Sequence, residues 1–129
     1  MSMIDDATVE DLGRFLDVNV ARYKLITSNL ANIDTPGFRT GDLDFHAELA
    51  RARAHAAASA EGNFAYASYT PVARHVRGLL QRPDGNDVSV ERESLLLAET
   101  QMKYNLAVQL IRDEFHGISQ AISSGGTTP

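Results

Sequence analysis

With 129 residues, a formal net charge of −5 and no cysteine, the chain has the size of one domain and a surface of the wrong sign for nucleic acid. No disulfide frame, thiolate metal site or cysteine nucleophile is open to it. The acidic start MSMIDDATVEDLG lacks the parts of a secretory signal, and no stretch reaches the roughly 20 apolar residues of a membrane span. The expectation is a soluble chain with no direct membrane insertion which, if exported, keeps its N-terminus.

The first element begins near Thr8, where Thr8-Val9-Glu10-Asp11 reads as a capping box. Val9, Leu12, Leu16, Tyr23, Ile26, Leu30 and Ile33 then recur at alternating spacings of three and four, with Asn19 in the remaining slot. That heptad pattern predicts a helix over residues 8–34, a rod on the order of 40 Å long. A weaker second face carries Phe15, Val18 and Leu25. Pro36 stops the helix, and Pro36-Gly37 fits the centre of a type II turn. Asn29 and Asn32 fall in the last turns, where their amides can cap carbonyls, and Phe38 can fold back on Leu30 or Ile33.

After the turn, Asp42 and Asp44 read as a solvated pair. The alanine-rich run from Phe45 to Ala60 predicts a helix with little bulk, a thin cover for the long helices. Short extended pieces are expected around residues 64–72 and 74–80, and Pro83-Asp84-Gly85 is a turn. Ser89 is a natural N-cap for a helix over residues 88–123, with Gly125-Gly126 ending it before a flexible tail, 124–129.

That last helix is apolar on two faces. Leu97, Gln101, Tyr104, Val108, Ile111, Phe115, Ile118 and Ile122 form one heptad stripe, polar only at Gln101. Leu95, Ala98, Met102, Leu106 and Leu110 lie nearly opposite, at 100° per residue. One face is expected to pair with the N-terminal helix, and the other to meet either the middle of the chain or other copies. Asn19 and Gln101 are read either as register-fixing amides in that pairing or as edge residues that meet water.

Catalytic, cofactor and metal motifs do not emerge. His46, His55, His75 and His116 lack metal-ligand spacing, and Asp84-Gly85-Asn86-Asp87 fails as a calcium loop because Ser89 stands where that loop requires glycine. The residues thus give no catalytic, cofactor-binding or metal set.

The segment SNLANIDTPGFR, with Asn29, Ala31, Asn32, Thr35, Pro36, Gly37 and Phe38, resembles the signature of the bacterial flagellar axial proteins of rod, hook and hook-associated type. The likeness continues in Asp42-Leu43-Asp44-Phe45 and at the other end in NDVSVERE (residues 86–93), then Gln101, Tyr104, Gln109-Leu110 and Ala121-Ile122, and is similar to the proximal rod members. The resemblance implies a mainly α fold in which the two terminal helices pair as an antiparallel, coiled-coil-like core within one domain, residues 1–129. It also implies self-assembly with other rod proteins, a neighbouring rod-to-MS-ring adaptor (FliE) and delivery by the flagellar type III export apparatus to a rod that crosses the periplasm. Pairing is then assigned to the Val9–Leu30 stripe against Leu97–Ile118, and subunit contacts to Leu95, Met102, Leu106, Leu110, Phe15, Val18 and Leu25. A cytoplasmic helical adaptor or export chaperone, or another small rod subunit, stays open as an alternative.

Overall fold

A computed structural model describes residues 6–60 and 69–125. Three helices carry the fold: α1 (Asp6–Ala31), α2 (Phe45–Ala60) and α3 (Val90–Gly125). Two short strands, β1 (Gly41–Asp42) and β2 (Arg74–His75), pair antiparallel with Gly41 opposite His75 and Asp42 opposite Arg74. The expected mainly α architecture is therefore present, with two long helices packed together. Part of the extended segment expected at 64–72, Gly126 and most of the expected tail lie outside the described residues. No helix among the described residues is long and apolar enough to cross a membrane.

Local signals set the helix ends. Asp44 caps α2, its Oδ1 accepting the Ala47 amide at 3.1 Å. Ser89 caps α3, its Oγ accepting the Arg92 amide at 3.3 Å. Thr8, expected as the first cap, lies inside α1, because the helix is already running at Asp6. At the other end α1 stops at Ala31, slightly short of the expected boundary, as the chain tightens through an Ile33 amide to Leu30 carbonyl bond of 3.3 Å.

α1 and α3 run antiparallel, since Asn29 meets Glu93 while Asn19 meets Thr100. The buried line of α3 is Glu93, Thr100 and Ala107. Relative to the stripe expected from hydropathy, this seam is rotated by roughly 50° around the helix. Small side chains there admit a close approach, while the Glu93 carboxylate and the Thr100 backbone carbonyl answer the two asparagines of α1. Consequently several residues assigned to pairing stand at the edge of the seam: Tyr23 and Tyr104 are half exposed, and Gln101 is exposed rather than a buried register amide. Phe115 is 57% exposed, lying beyond the described start of α1. Val9, Leu12, Leu16, Leu30, Leu97, Val108, Ile111 and Ile118 are partly buried, whereas Ile26 and Asn19 are buried.

The second correction concerns α2. Phe15, Val18 and Leu25, assigned to subunit contacts, belong to the chain's own core with Leu43, Leu49, Ala52, Phe45 and Tyr69. Val18 is completely buried, and covering such a side chain stabilises by about 1.5–3 kcal/mol. Phe15 and Phe45 meet edge to face, with centroids 5.0 Å apart, and the Lys103 ammonium lies 4.1 Å from the Phe45 ring centre. Alanine makes α2 a better cover than its bulk suggests, because Ala52 lets the helix sit close on α1. A clamp of Arg53 on Asp11, both contacts at 2.6 Å, ties the helices at their far end.

Candidate functional site

The two motif segments meet at the corner where α1 ends and α3 begins. The chain leaves α1 through Asn32, whose Nδ2 donates to the Ser28 carbonyl at 2.8 Å while its Oδ1 accepts the Thr35 hydroxyl at 3.1 Å. Thr35-Pro36-Gly37-Phe38 then turns, with the Phe38 amide donating to the Thr35 carbonyl at 3.2 Å and Gly37 at φ +74°, as a type II turn requires. No neighbour would touch a side chain added at Gly37, so the requirement there is backbone conformation alone. Replacing Gly37 by valine is expected to cost about 2 kcal/mol and to reduce swimming, checked by thermal melts and motility agar. An unchanged melting temperature would show that the turn adopts another form without loss.

The second segment seats against this turn. Arg82-Pro83-Asp84-Gly85 makes its own turn, closed by the Gly85 amide on the Arg82 carbonyl at 2.9 Å, and a Cβ on Gly85 would stand 3.3 Å from the Gly37 Cα. Across the contact, the Gly37 amide donates to the Asp84 carbonyl at 2.9 Å, and Arg82 donates to the Ile33 carbonyl. Asn86, fully buried, donates to the carbonyls of Asn32 and Thr35, each at 2.9 Å. Asp87 accepts the Thr40 amide at 2.6 Å and Arg39 Nε at 3.0 Å, and its own amide reaches the Phe38 carbonyl at 3.3 Å. Carbonyls of the turn just past the end of α1, those of Asn32, Ile33 and Thr35, are thereby satisfied by a loop some fifty residues away.

Beneath the turns runs a buried ionic line. Asn29 Nδ2 donates to the Gly41 carbonyl at 2.8 Å and to Glu93 Oε2 at 3.1 Å, and the Gly41 amide returns a bond to Asn29 Oδ1 at 3.1 Å. Glu93 is wholly buried and also accepts from Arg92 at 2.7 Å. Asp42, expected in solvent, is buried: Arg22 grips both its oxygens at 3.1 and 3.2 Å, and Arg92 adds a contact at 2.6 Å. The reason is geometric, since pairing of β1 with β2 fixes Asp42 beside two guanidinium groups. Its neighbour Asp44 remains exposed as the α2 cap.

Burial alone would raise the carboxyl pKa values here. At Asp42 it is outweighed by Arg22, the Leu43 amide and Arg92, and at Asp87 by Thr40 and Arg39, so both are held below the usual carboxylate range. Glu48, buried in α2, is likewise lowered despite burial, by bonds from Tyr69, Val72 and Arg51. Depressed folded pKa values mean stability that is present above the unfolded values and lost as pH falls through the folded ones. The urea midpoint is therefore expected to be level from about pH 5 to 7 and to fall below about pH 4. A midpoint that rises on acidification would contradict the network.

Of the residues assigned to the turn motif, Asn29, Asn32, Thr35 and Gly37 take part in the corner through side-chain or backbone bonds, and Phe38 through its backbone; Ala31 and Pro36 sit exposed on its rim. Arg22, Thr40 and the pairing role of Glu93 were not evident from sequence, because each is a lone polar residue whose partner is remote in the chain. On the outer side of α3, Leu95 is 71%, Met102 74%, Leu106 59% and Leu110 43% exposed.

The corner thus interlocks a helical hairpin that leaves one apolar face of α3 in solvent. The family model described as flagella basal body rod protein matches residues 18–39, the second half of α1 with its turn. A flagellar basal body rod protein FlgB of Cereibacter sphaeroides is 34% identical over 106 residues, covering 78% of this chain and 82% of its own. FlgB of Yersinia enterocolitica is 28% identical over 125 residues, covering 85% and 89%. FlgB of Escherichia coli K12 is 26% identical over 132 residues, covering 93% and 96%. The chain belongs to the FlgB family of flagellar basal body rod proteins and is a structural subunit of the basal body rod.

Proposed function

We propose that this subunit is non-enzymatic and builds the proximal part of the rod, joining copies of itself and other rod proteins in the shaft that crosses the periplasm. It arrives through the flagellar type III export apparatus with no signal peptide removed, and contacts the rod-to-MS-ring adaptor FliE at the base. Residues 1–129 act as one rod-type core domain. The observation that carries this reading is the row Leu95, Met102, Leu106 and Leu110, left in water on the side of α3 away from α1. A contiguous apolar row of this kind is the mark of an interaction surface, and a torque-bearing tube needs each subunit to hold several neighbours.

A clean deletion of the gene, followed by imaging of isolated basal bodies, tests the reading. Membrane rings without a rod are expected, and intact rods would overturn it.

A further inference from the structure

We propose that the groove between α1 and α3, on the side opposite α2, receives the C-terminal end of α3 from a second copy of this chain. The inference rests on the rod-subunit reading and specifies one of its contacts.

Two paired helices leave a groove on each flank. α2 fills one, against Phe15, Val18 and Leu25. The other holds about 320 Å³ and is lined by Val20 and Tyr23 of α1 and Gln101 and Tyr104 of α3. Val20, Tyr23 and Tyr104 are each between 40% and 48% exposed, a large apolar surface for such a position. At the floor lies Asn19, 2% exposed. Its Nδ2 donates to the Thr100 carbonyl at 2.9 Å, but its Oδ1 accepts from no group among the described residues. A buried acceptor left without a donor is destabilising, so the groove fits an occupant that is apolar and brings one donor.

The chain carries such an occupant. The antiparallel register set by Asn29–Glu93 and Asn19–Thr100 brings Asp6 opposite about residue 114. Beyond that point α3 continues to Gly125 past the described part of α1. On this projection Phe115, Ile118 and Ile122 form one stripe, with the hydroxyl of Ser119 among them. Phe115 and Ile122 are 57% and 72% exposed. The projecting segment is about 15 Å long, enough to span the groove.

A chain cannot serve itself, because Ile122 stands roughly 30 Å along a continuous helix from Gln101. The occupant is therefore another copy, docking as a helix in a groove with Ser119 donating to Asn19 Oδ1. Groove and projection are different patches, so the contact is head to tail and propagates as an open helical array instead of closing on a dimer.

The absence of cysteine makes the test direct. Val20→Cys and Ile122→Cys are introduced into separate, differently tagged full-length copies, co-expressed in cells, and basal bodies are isolated and mildly oxidised. A disulfide between the two tagged copies is expected when both are present and from neither alone, and Ser119→Ala on the projecting copy should lower its yield several-fold. Equal cross-linking by either variant alone would overturn the head-to-tail arrangement, as would capture of a different basal-body protein by Val20→Cys. Leu106→Cys serves as the separate control. If it cross-links while the Val20–Ile122 pair does not, the subunit reading stands and the groove assignment falls. A chain missing from basal bodies altogether would sink both.

Discussion

Asp42→Ala is expected to be among the most damaging substitutions in the corner, costing about 3 kcal/mol in urea denaturation. The magnitude follows from what remains. Arg22 and Arg92, whose side chains are only 14% and 26% exposed, would lose the carboxylate between them, leaving Arg22 a long 3.9 Å contact with Glu99 and Arg92 its pair with Glu93. β1 would also lose the bond from the Leu43 amide to Asp42 Oδ1, 2.8 Å in length. The partial exposure of Arg92 keeps the expected cost at the lower end of the range for a broken buried pair. Asp44→Ala provides the comparison, because it removes only the α2 cap and should cost about 1 kcal/mol. Equal losses at the two positions would mean that the buried ionic line contributes nothing beyond local capping.

Leu106→Glu should do the opposite, leaving the isolated subunit intact while abolishing the rod. An exposed substitution away from any cap or network is expected to change stability by less than about 0.5 kcal/mol. Leu106 is 59% exposed, whereas the next residue, Ala107, is 1% exposed in the seam with α1. Ala107→Glu should therefore unfold the hairpin, since it forces both volume and charge into a closed interface. Circular dichroism melts of the two purified variants, set beside basal-body images, separate the effects. Loss of helix in Leu106→Glu would place that residue in the subunit's own core and refute the assembly face.

Much of this was legible in the sequence, for definite reasons. Heptad spacing marked the two long helices because it records which side chains avoid water, and Pro36-Gly37 marked the turn through backbone sterics. Hydropathy does not say who does the covering. Val18 and Leu106 looked alike as second-face residues, yet Val18 lies under α2 and Leu106 lies in solvent. Nor does it find a seam made of Glu93, Thr100 and Ala107, which appear polar or neutral one at a time. The Glu93 carboxylate answers Asn29 and the Thr100 backbone carbonyl answers Asn19, partners 64 and 81 positions away. Asp42 was misread for the same reason, as its guanidinium partners lie 20 and 50 positions distant.

Those separations also govern timing. The contacts that close the corner join the end of α1 to residues 82–93, so none can form until most of the chain is available. A chain synthesised from its N-terminus carries α1 and α2 as an open pair, with Asn29 and the carbonyls of the turn after α1 still hydrated. Closure waits for Glu93. The subunit is thus a clasp that fastens late, and the exposed face of α3 gains a fixed relation to α1 only in the last third of the chain's synthesis.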